Sequence, residues 1–361
     1  MPVKRIVLAT FGSLGDLHPY LGLALALKRA GHAPLIVSAD VHRQAVEIEG
    51  IEFAPMRPGV AQLGDIGQIV RRLLHPVTGP RYLIRDMLMP YLRESYADLD
   101  RACTGADLLL THPLAFTGPL IAEKRRLRWA SSVLAPLSLM SAIDPPQFPS
   151  APWLGWARGL GVGPYRALFG AIKRIAGGWE KPLAGLRAEL GLPAPRGFAQ
   201  FEGQYSPALN LALFSRVLAE PQADWPQNTV LCGFARYDGA PLAASIRVGL
   251  DAFLAAGTAP IVFTLGSSVA MHASDFFAVA ADAAQRLGRR AILITGQDPA
   301  AFPGLPATIR AFRYLPYSVA FPHAAVTVHQ GGIGTLAQAL AAGRPQLIAP
   351  AAFDQPDNAR R

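Results

Sequence analysis

The chain alternates short apolar runs with amphipathic stretches, and glycine-bearing turns often separate them. Arg5–Thr10 reads as a buried strand, Phe11-Gly12-Ser13-Leu14-Gly15-Asp16 as a turn, and Leu17, Leu21, Ala24, Leu25 and Lys28 as one helix. Gly31-His32 ends that helix in the manner of a C-terminal glycine. Leu35–Ser38 is the next predicted strand, followed by a helix over Val41–Glu49. Strands over Asp107–Thr111 and Trp129–Leu134 flank a helix over Thr117–Lys124, and Asn210–Phe214 is a further strand. Such alternation predicts a parallel sheet covered on both faces.

Residues 219–241 carry Pro221, Pro226 and Pro241 and little periodicity, which predicts an interdomain linker. A second alternation follows. It has a helix near Ala243–Ala255, strand Ile261–Leu265, helix Asp275–Leu287, and strands Ala291–Thr295, Thr308–Phe312 and Ala324–His329. Helix Thr335–Ala342 and strand Gln346–Ala349 complete it. The expected organisation is an N-terminal domain over 1–218, the linker over 219–241 and a C-terminal domain over 242–361. Both domains are expected to be doubly wound α/β sheets that bind ligands beyond the carboxyl ends of their strands. Residues 60–100 and 150–200 break the rhythm with amphipathic stretches bearing Trp153, Trp156, Tyr165, Phe169 and Trp179. Packing on the outer sheet face and lining a pocket are both open to them.

Composition narrows the classes. In 361 residues, 51% are apolar and 16% charged, ample for two buried sheets. The net charge of +9 is scattered over Arg71-Arg72, Lys124-Arg125-Arg126, Lys173-Arg174 and Arg289-Arg290. With no nucleic-acid motif beside it, that charge reads as a solvated basic surface, or as peripheral contact with an anionic membrane face. Two distant cysteines, Cys103 and Cys232, suggest neither a disulfide framework nor a metal site and fit a reducing cytoplasm. The uncharged run Trp129–Ile143 is too short to span a bilayer.

The strongest chemical signal is His329-Gln330-Gly331-Gly332-Ile333-Gly334-Thr335, with Asp354-Gln355 after the next strand. A glycine turn opening a helix points N–H groups and a positive dipole end at an anion, and a diphosphate is the natural guest. Asp354 and Gln355 are groups that hold sugar hydroxyls.

These residues resemble the donor motif of family 1 GT-B glycosyltransferases, and Phe11–Pro19 resembles the acceptor-side opening of the same family. The nearest subgroup is the rhamnosyltransferase B chain of rhamnolipid synthesis, with macrolide and sterol glycosyltransferases further off. The resemblance implies two Rossmann-like domains facing a cleft and inverting transfer from a nucleotide diphosphate sugar. No metal or other cofactor is implied. The implied acceptor is an apolar alcohol, a hydroxy fatty acid or an aglycone.

Asp16 is implied as general base, set against a purely structural role as helix N-cap. His18, whose ordinary pKa suits proton transfer, is its rival. His329, Gly331, Gly332, Gly334, Thr335, Ser267 and Ser268 are implied at the diphosphate. Gln297 is implied to line the nucleotide pocket, Tyr314 to stack on the base and Leu315 to meet it through its backbone, with a core position the other reading of Tyr314. Asp354 and Gln355 are implied to hold the donor sugar. Plant relatives hold the ribose with Glu eight residues after the motif histidine; here that position is Ala337, which favours a deoxyribose donor such as a dTDP-sugar.

Two other classes remain in view. One is a non-catalytic nucleotide-sugar-binding protein, suggested by an ending at Arg361 that leaves the second domain short of its family's closing segment. The other is a nicotinamide oxidoreductase, against which Gly12-x-x-Gly15-Asp16 counts because it is not G-x-G-x-x-G. The shortened second domain is expected to be the less stable of the two and its transfer activity weak.

Overall fold

The computed structural model describes all residues except 1, 152–153, 156–158, 196, 240–241 and 267–273, and the side chain at position 66. Its contacts divide the chain into two compact units. The first comprises Met1–Gly12, Asp16–Ala235 and Ala352–Arg361; the second comprises Ser13–Gly15 and Arg236–Ala351.

The first unit holds a seven-stranded sheet. Its strands are β1 (Arg5–Ala9), β2 (Ala33–Ser38), β3 (Glu52–Pro55), β4 (Leu108–Thr111), β5 (Trp129–Val133), β6 (Asn210–Ala212) and β7 (Thr229–Leu231). They are ordered β3-β2-β1-β4-β5-β6-β7, and every pairing is parallel. Val7 and Leu8 point to opposite faces of β1, yet both are fully buried. Helices therefore cover both faces, and the strands are apolar runs for that reason. Strand order reverses between β1 and β4, which pair Ala9 with Thr111. The segments leaving those two strands diverge there and open a crevice at the carboxyl edge.

The second unit holds β8 (Ile261–Thr264), β9 (Ala291–Ile294), β10 (Ile309–Phe312), β11 (Val326–His329) and β12 (Gln346–Ile348). Their order is β10-β9-β8-β11-β12, again all parallel, with the reversal between β8 and β11. Ile292 and Leu293, neighbours on β9, are both fully buried.

Most expected elements form within a residue or two of their predicted bounds. The helix after β1 spans Leu14–Arg29 and ends as anticipated, with Gly31 at φ +83° and its N–H on Lys28 O. Three differences matter. β3 lies in a stretch to which no element was assigned and β7 in one read as irregular, because strands of three or four residues are too short to show a period. β7 also falls inside the expected 219–241 linker, and the chain through Ala235 goes with the first unit. Finally, Ala352–Arg361, expected in the second domain, groups with the first unit. Buried Asp357 anchors it there. Its carboxylate accepts from Gln147 N at 2.9 Å and pairs with Arg360 and Arg361, which also reach Asp144.

Tyr165 and Phe169, on helix Val162–Gly177, pack with Ala142 in a small apolar cluster, and Trp179 packs against the main core. Trp153 and Trp156 lie outside the described residues. No described helix is long and apolar enough to cross a membrane.

Candidate functional site

Each sheet places the predicted chemistry at its point of strand reversal. In the first unit Asp16 sits in the first turn of helix Leu14–Arg29, so it is not the cap residue. Ser13 takes that position, and its Oγ accepts from Gly15 N at 3.2 Å. The Asp16 carboxylate lies over Gly12, where an added Cβ would come within 2.2 Å of Asp16 Oδ2. Gly12 also has φ +135°, so the turn needs glycine twice over.

Asp16 Oδ1 is 3.4 Å from His112 Nε2. His112 directly follows β4 and is buried, while Asp16 is 30% exposed. On the other side of the ring, His112 Nδ1 accepts from Leu114 N at 3.2 Å. A backbone N–H can only donate, so Nδ1 is bare and Nε2 carries the proton that faces the carboxylate. The edge of His112 also meets Tyr20, with ring centroids 6.1 Å apart.

His18 stands differently. Two residues along a helix lie about 200° apart around its axis, so Asp16 and His18 serve different faces. Burial, and then the neighbouring His42, lower the pKa of His18 to about 4. His42 itself is held on Gly12 O at 3.0 Å. The partner that tertiary structure brings to Asp16 is thus His112, which the sequence reading passed over. The available signal was a histidine immediately after a buried strand, at a position that only the strand order identifies as the crevice.

In the second unit the predicted donor residues gather at the carboxyl ends of the strands. His329 closes β11 and is fully buried. Its Nδ1 accepts from Gly331 N at 3.0 Å, and its Nε2 meets Gln346 Oε1 at 2.9 Å. One neutral tautomer satisfies both contacts. Burial lowers its pKa against the opposing pull of Gln346. Both ring nitrogens are thus engaged within the unit, Nδ1 by the Gly331 N–H of the turn and Nε2 by Gln346 on β12. Gln346 was missed because a glutamine inside a strand carries no signal of its own.

The helix after the turn begins at Ile333, with Gly332 as its cap, so Gly334 and Thr335 lie in its first turn. Such a first turn has N–H groups with no intrahelical acceptor. Thr335 is buried, its hydroxyl in contact with Tyr317 and 3.5 Å from Gln330 Nε2. The Gln330 side chain packs on Gly266, where a Cβ would come within 2.2 Å of Nε2. Its Oε1 is buried with no hydrogen-bond partner among the described residues.

Gln297 follows β9, and its N–H donates to Thr295 Oγ1 at 3.2 Å. Tyr314 keeps 45% of its surface exposed while its hydroxyl donates to Asp238 O at 2.7 Å, which tethers the ring. Leu315 is buried. Ser267 and Ser268 lie outside the described residues. Asp354 and Gln355 belong to the first unit. Asp354 Oδ2 accepts from Asn358 Nδ2 at 2.7 Å and Gln355 Oε1 from Ala352 N at 3.0 Å. Among the described residues, no group of three or more His, Cys, Asp or Glu is placed to hold a metal ion.

Comparison with known proteins adds to this geometry. The model of the erythromycin biosynthesis protein CIII-like C-terminal domain matches residues 282–361. The chain is 29% identical to O-mycaminosyltylonolide 6-deoxyallosyltransferase of Streptomyces fradiae, over 98% of this chain and 82% of that protein. It is 27% identical to a sterol 3-beta-glucosyltransferase of Neosartorya fischeri, over 97% of this chain and 25% of that protein. Among solved structures, glycosyltransferase VinC in complex with dTDP superposes with a TM-score of 0.62 at 22% identity, over 97% of this chain and 82% of VinC.

Proposed function

We propose how this chain, a family 1 glycosyltransferase of the GT-B fold, performs its transfer: by inversion, without a metal ion, onto the hydroxyl of an apolar acceptor. The observation that carries the reading is the Asp16–His112 pair at the reversal of strand order, with its carboxylate partly open and its imidazole tautomer set by Leu114 N. Asp16 takes the acceptor proton as the acceptor oxygen bonds to the anomeric carbon. The bond from that carbon to the diphosphate breaks on the opposite face, and the electron pair leaves with the diphosphate.

That departing charge needs preorganised donors. The N–H groups of the first turn around Gly332, Ile333, Gly334 and Thr335 supply them, with the turn held by His329 and Gly331. Ser267 and Ser268 are assigned to the same diphosphate. Tyr314 stacks on the base, Leu315 and Gln297 line the nucleotide, and Asp354 and Gln355 hold the sugar. Backbone donors at a helix N-terminus do the work a cation would otherwise do, which supports the metal-free assignment. Ala337 in place of a ribose-binding carboxylate supports a dTDP-sugar donor.

The test is transfer from an α-linked dTDP-sugar to an alcohol in the presence of EDTA, with the product anomer read by NMR. A β-glycoside formed at the same rate with and without EDTA is the expected result. An α-glycoside, or loss of activity with EDTA, overturns the mechanism.

A further inference from the structure

Asp238-Gly239 falls between β7 and helix Ala244–Ala255 and belongs to the second unit. The short helix Tyr317–Ala320 opens after Pro316, which has no side-chain acceptor for the N–H groups of the first turn. Asp238 supplies one from far along the chain. Its Oδ1 accepts from Tyr317 N at 2.9 Å and its Oδ2 from Ser318 N at 2.6 Å. Its backbone oxygen accepts from the Tyr314 hydroxyl at 2.7 Å. One residue thus holds the segments of both tyrosines.

Gly239 makes the approach possible. It has φ +78°, and a Cβ there would come within 2.1 Å of the Tyr314 hydroxyl oxygen. Tyr317 carries the connection inward. Its hydroxyl is 3.1 Å from Thr264 Oγ1 and in contact with Thr335. Thr264 Oγ1 in turn accepts from Gly266 N at 3.3 Å. The ring of Phe321 stacks on that of Tyr317, with centroids 4.5 Å apart, and fixes where the hydroxyl points. Tyr317 therefore touches both the end of β8 and the first helical turn after β11.

We propose that Asp238 is a positioning residue that sets the register of the donor site. Through Tyr314 it places the ring that meets the base, and through Tyr317 it places the turn that meets the diphosphate. This rests on the reading of Tyr314 as a base contact and of the turn at Thr335 as a diphosphate contact. A carboxylate serving only as a helix cap has no use for the Tyr314 hydroxyl or for glycine at 239. A nucleoside diphosphate meets both contacts already in place, without the ordering cost of a loose site.

The experiment measures dTDP binding by calorimetry. Thymidine and inorganic pyrophosphate are measured by competition against dTDP in ligand-observed NMR, and each variant's melting temperature is recorded. Asp238→Ala removes the carboxylate and frees the carbonyl that holds Tyr314. It should weaken thymidine and pyrophosphate alike, by about fivefold each, the worth of one hydrogen bond. Tyr314→Phe keeps the ring and loses only its tether, so it should weaken thymidine by a similar factor and leave pyrophosphate at the parental value. Tyr317→Phe should do the reverse. Asp238→Asn, which keeps one acceptor oxygen, should recover part of both losses, and it carries the same comparison if Asp238→Ala does not fold. Parental affinity for both fragments in Asp238→Ala, whatever its melting temperature, would overturn the proposal. Tyr314→Ala separates it from the reading beneath it. Thymidine binding lost in Tyr314→Ala but unchanged in Tyr314→Phe defeats the positioning alone, whereas binding unchanged in both defeats the base contact as well.

Discussion

The two strand reversals differ in what they expose. At β1/β4 a carboxylate remains 30% open and leans on a buried histidine. At β8/β11 the histidine is fully buried, both of its nitrogens are engaged, and what the turn offers a ligand is backbone. Under the proposed function the same sheet topology would serve two chemistries. Proton transfer needs a titratable side chain that substrate can touch. Stabilising a departing diphosphate needs N–H groups that do not move when charge arrives, and a side chain bracing the turn achieves that. A histidine beside a glycine turn is therefore not automatically a ligand; its partners decide.

Asp16→Asn probes this contrast most severely. It keeps the shape over Gly12 and removes the base, so kcat should fall on the order of 10²–10⁴-fold while calorimetric affinity for dTDP stays at the parental value. Full activity in this variant, with loss in His18→Ala, would move the base to His18.

A smaller effect is expected at His112. A hydrogen bond to a charged group contributes ~1.5–3 kcal/mol, so His112→Ala should lower kcat by roughly 10- to 100-fold with donor KM unchanged. His112→Gln, which retains a donor, should recover part of that loss. If both variants instead raise donor KM and leave kcat alone, His112 is not acting through Asp16.

At the second reversal, bracing and direct ligation separate in a pair of variants. Gln346→Leu leaves the His329 Nε2–H without its acceptor, and His329→Ala also removes the Nδ1 contact to Gly331 N. If His329 acts by bracing, both should weaken dTDP binding, by about tenfold or less, and lower the melting temperature, with an unpaired buried polar group costing ~1–3 kcal/mol. Loss of dTDP binding in His329→Ala beside normal binding in Gln346→Leu would restore direct contact with the diphosphate.

The last effect is on stability alone and leaves binding and turnover at neutral pH unchanged. His18 is held at a pKa of about 4, below its ordinary 6.5. Its folded pKa is depressed, so between those values the unfolded chain takes up a proton that the folded chain refuses. The contribution is complete above pH 6.5 and is lost as pH falls toward 4, by up to roughly 3 kcal/mol. Urea titrations at pH 7.5 and pH 4.5 should show that loss, and His18→Gln should reduce it. An identical pH dependence in the variant would remove His18 from the account.

Much of this was written in local pattern. Apolar runs such as Ile6–Ala9 and Ala291–Ile294 announce strands buried on both faces, and Gly31 announces a helix end, because period and backbone freedom are properties of a few consecutive residues. The glycine turn after His329 and the turn holding Asp16 were legible for the same reason. β7 was not, since three residues among prolines show no period.

The order of the strands lay beyond local pattern, and strand order is what brings His112 from the end of β4 to Asp16 beyond β1. Burial lay beyond it as well. His329 and His112 are both histidines at strand ends, yet one faces Gln346 and a backbone N–H while the other faces a carboxylate. Nor does position in the chain show that Ala352–Arg361 returns to the first unit through Asp357, Asp144 and two arginines. Sequence by itself determined which elements form and which residue types end them, because those follow from neighbouring residues along the backbone. Tertiary structure alone decided which of those ends meet and which side chains keep a free edge, because contacts between distant segments and loss of water are set only when the sheets assemble.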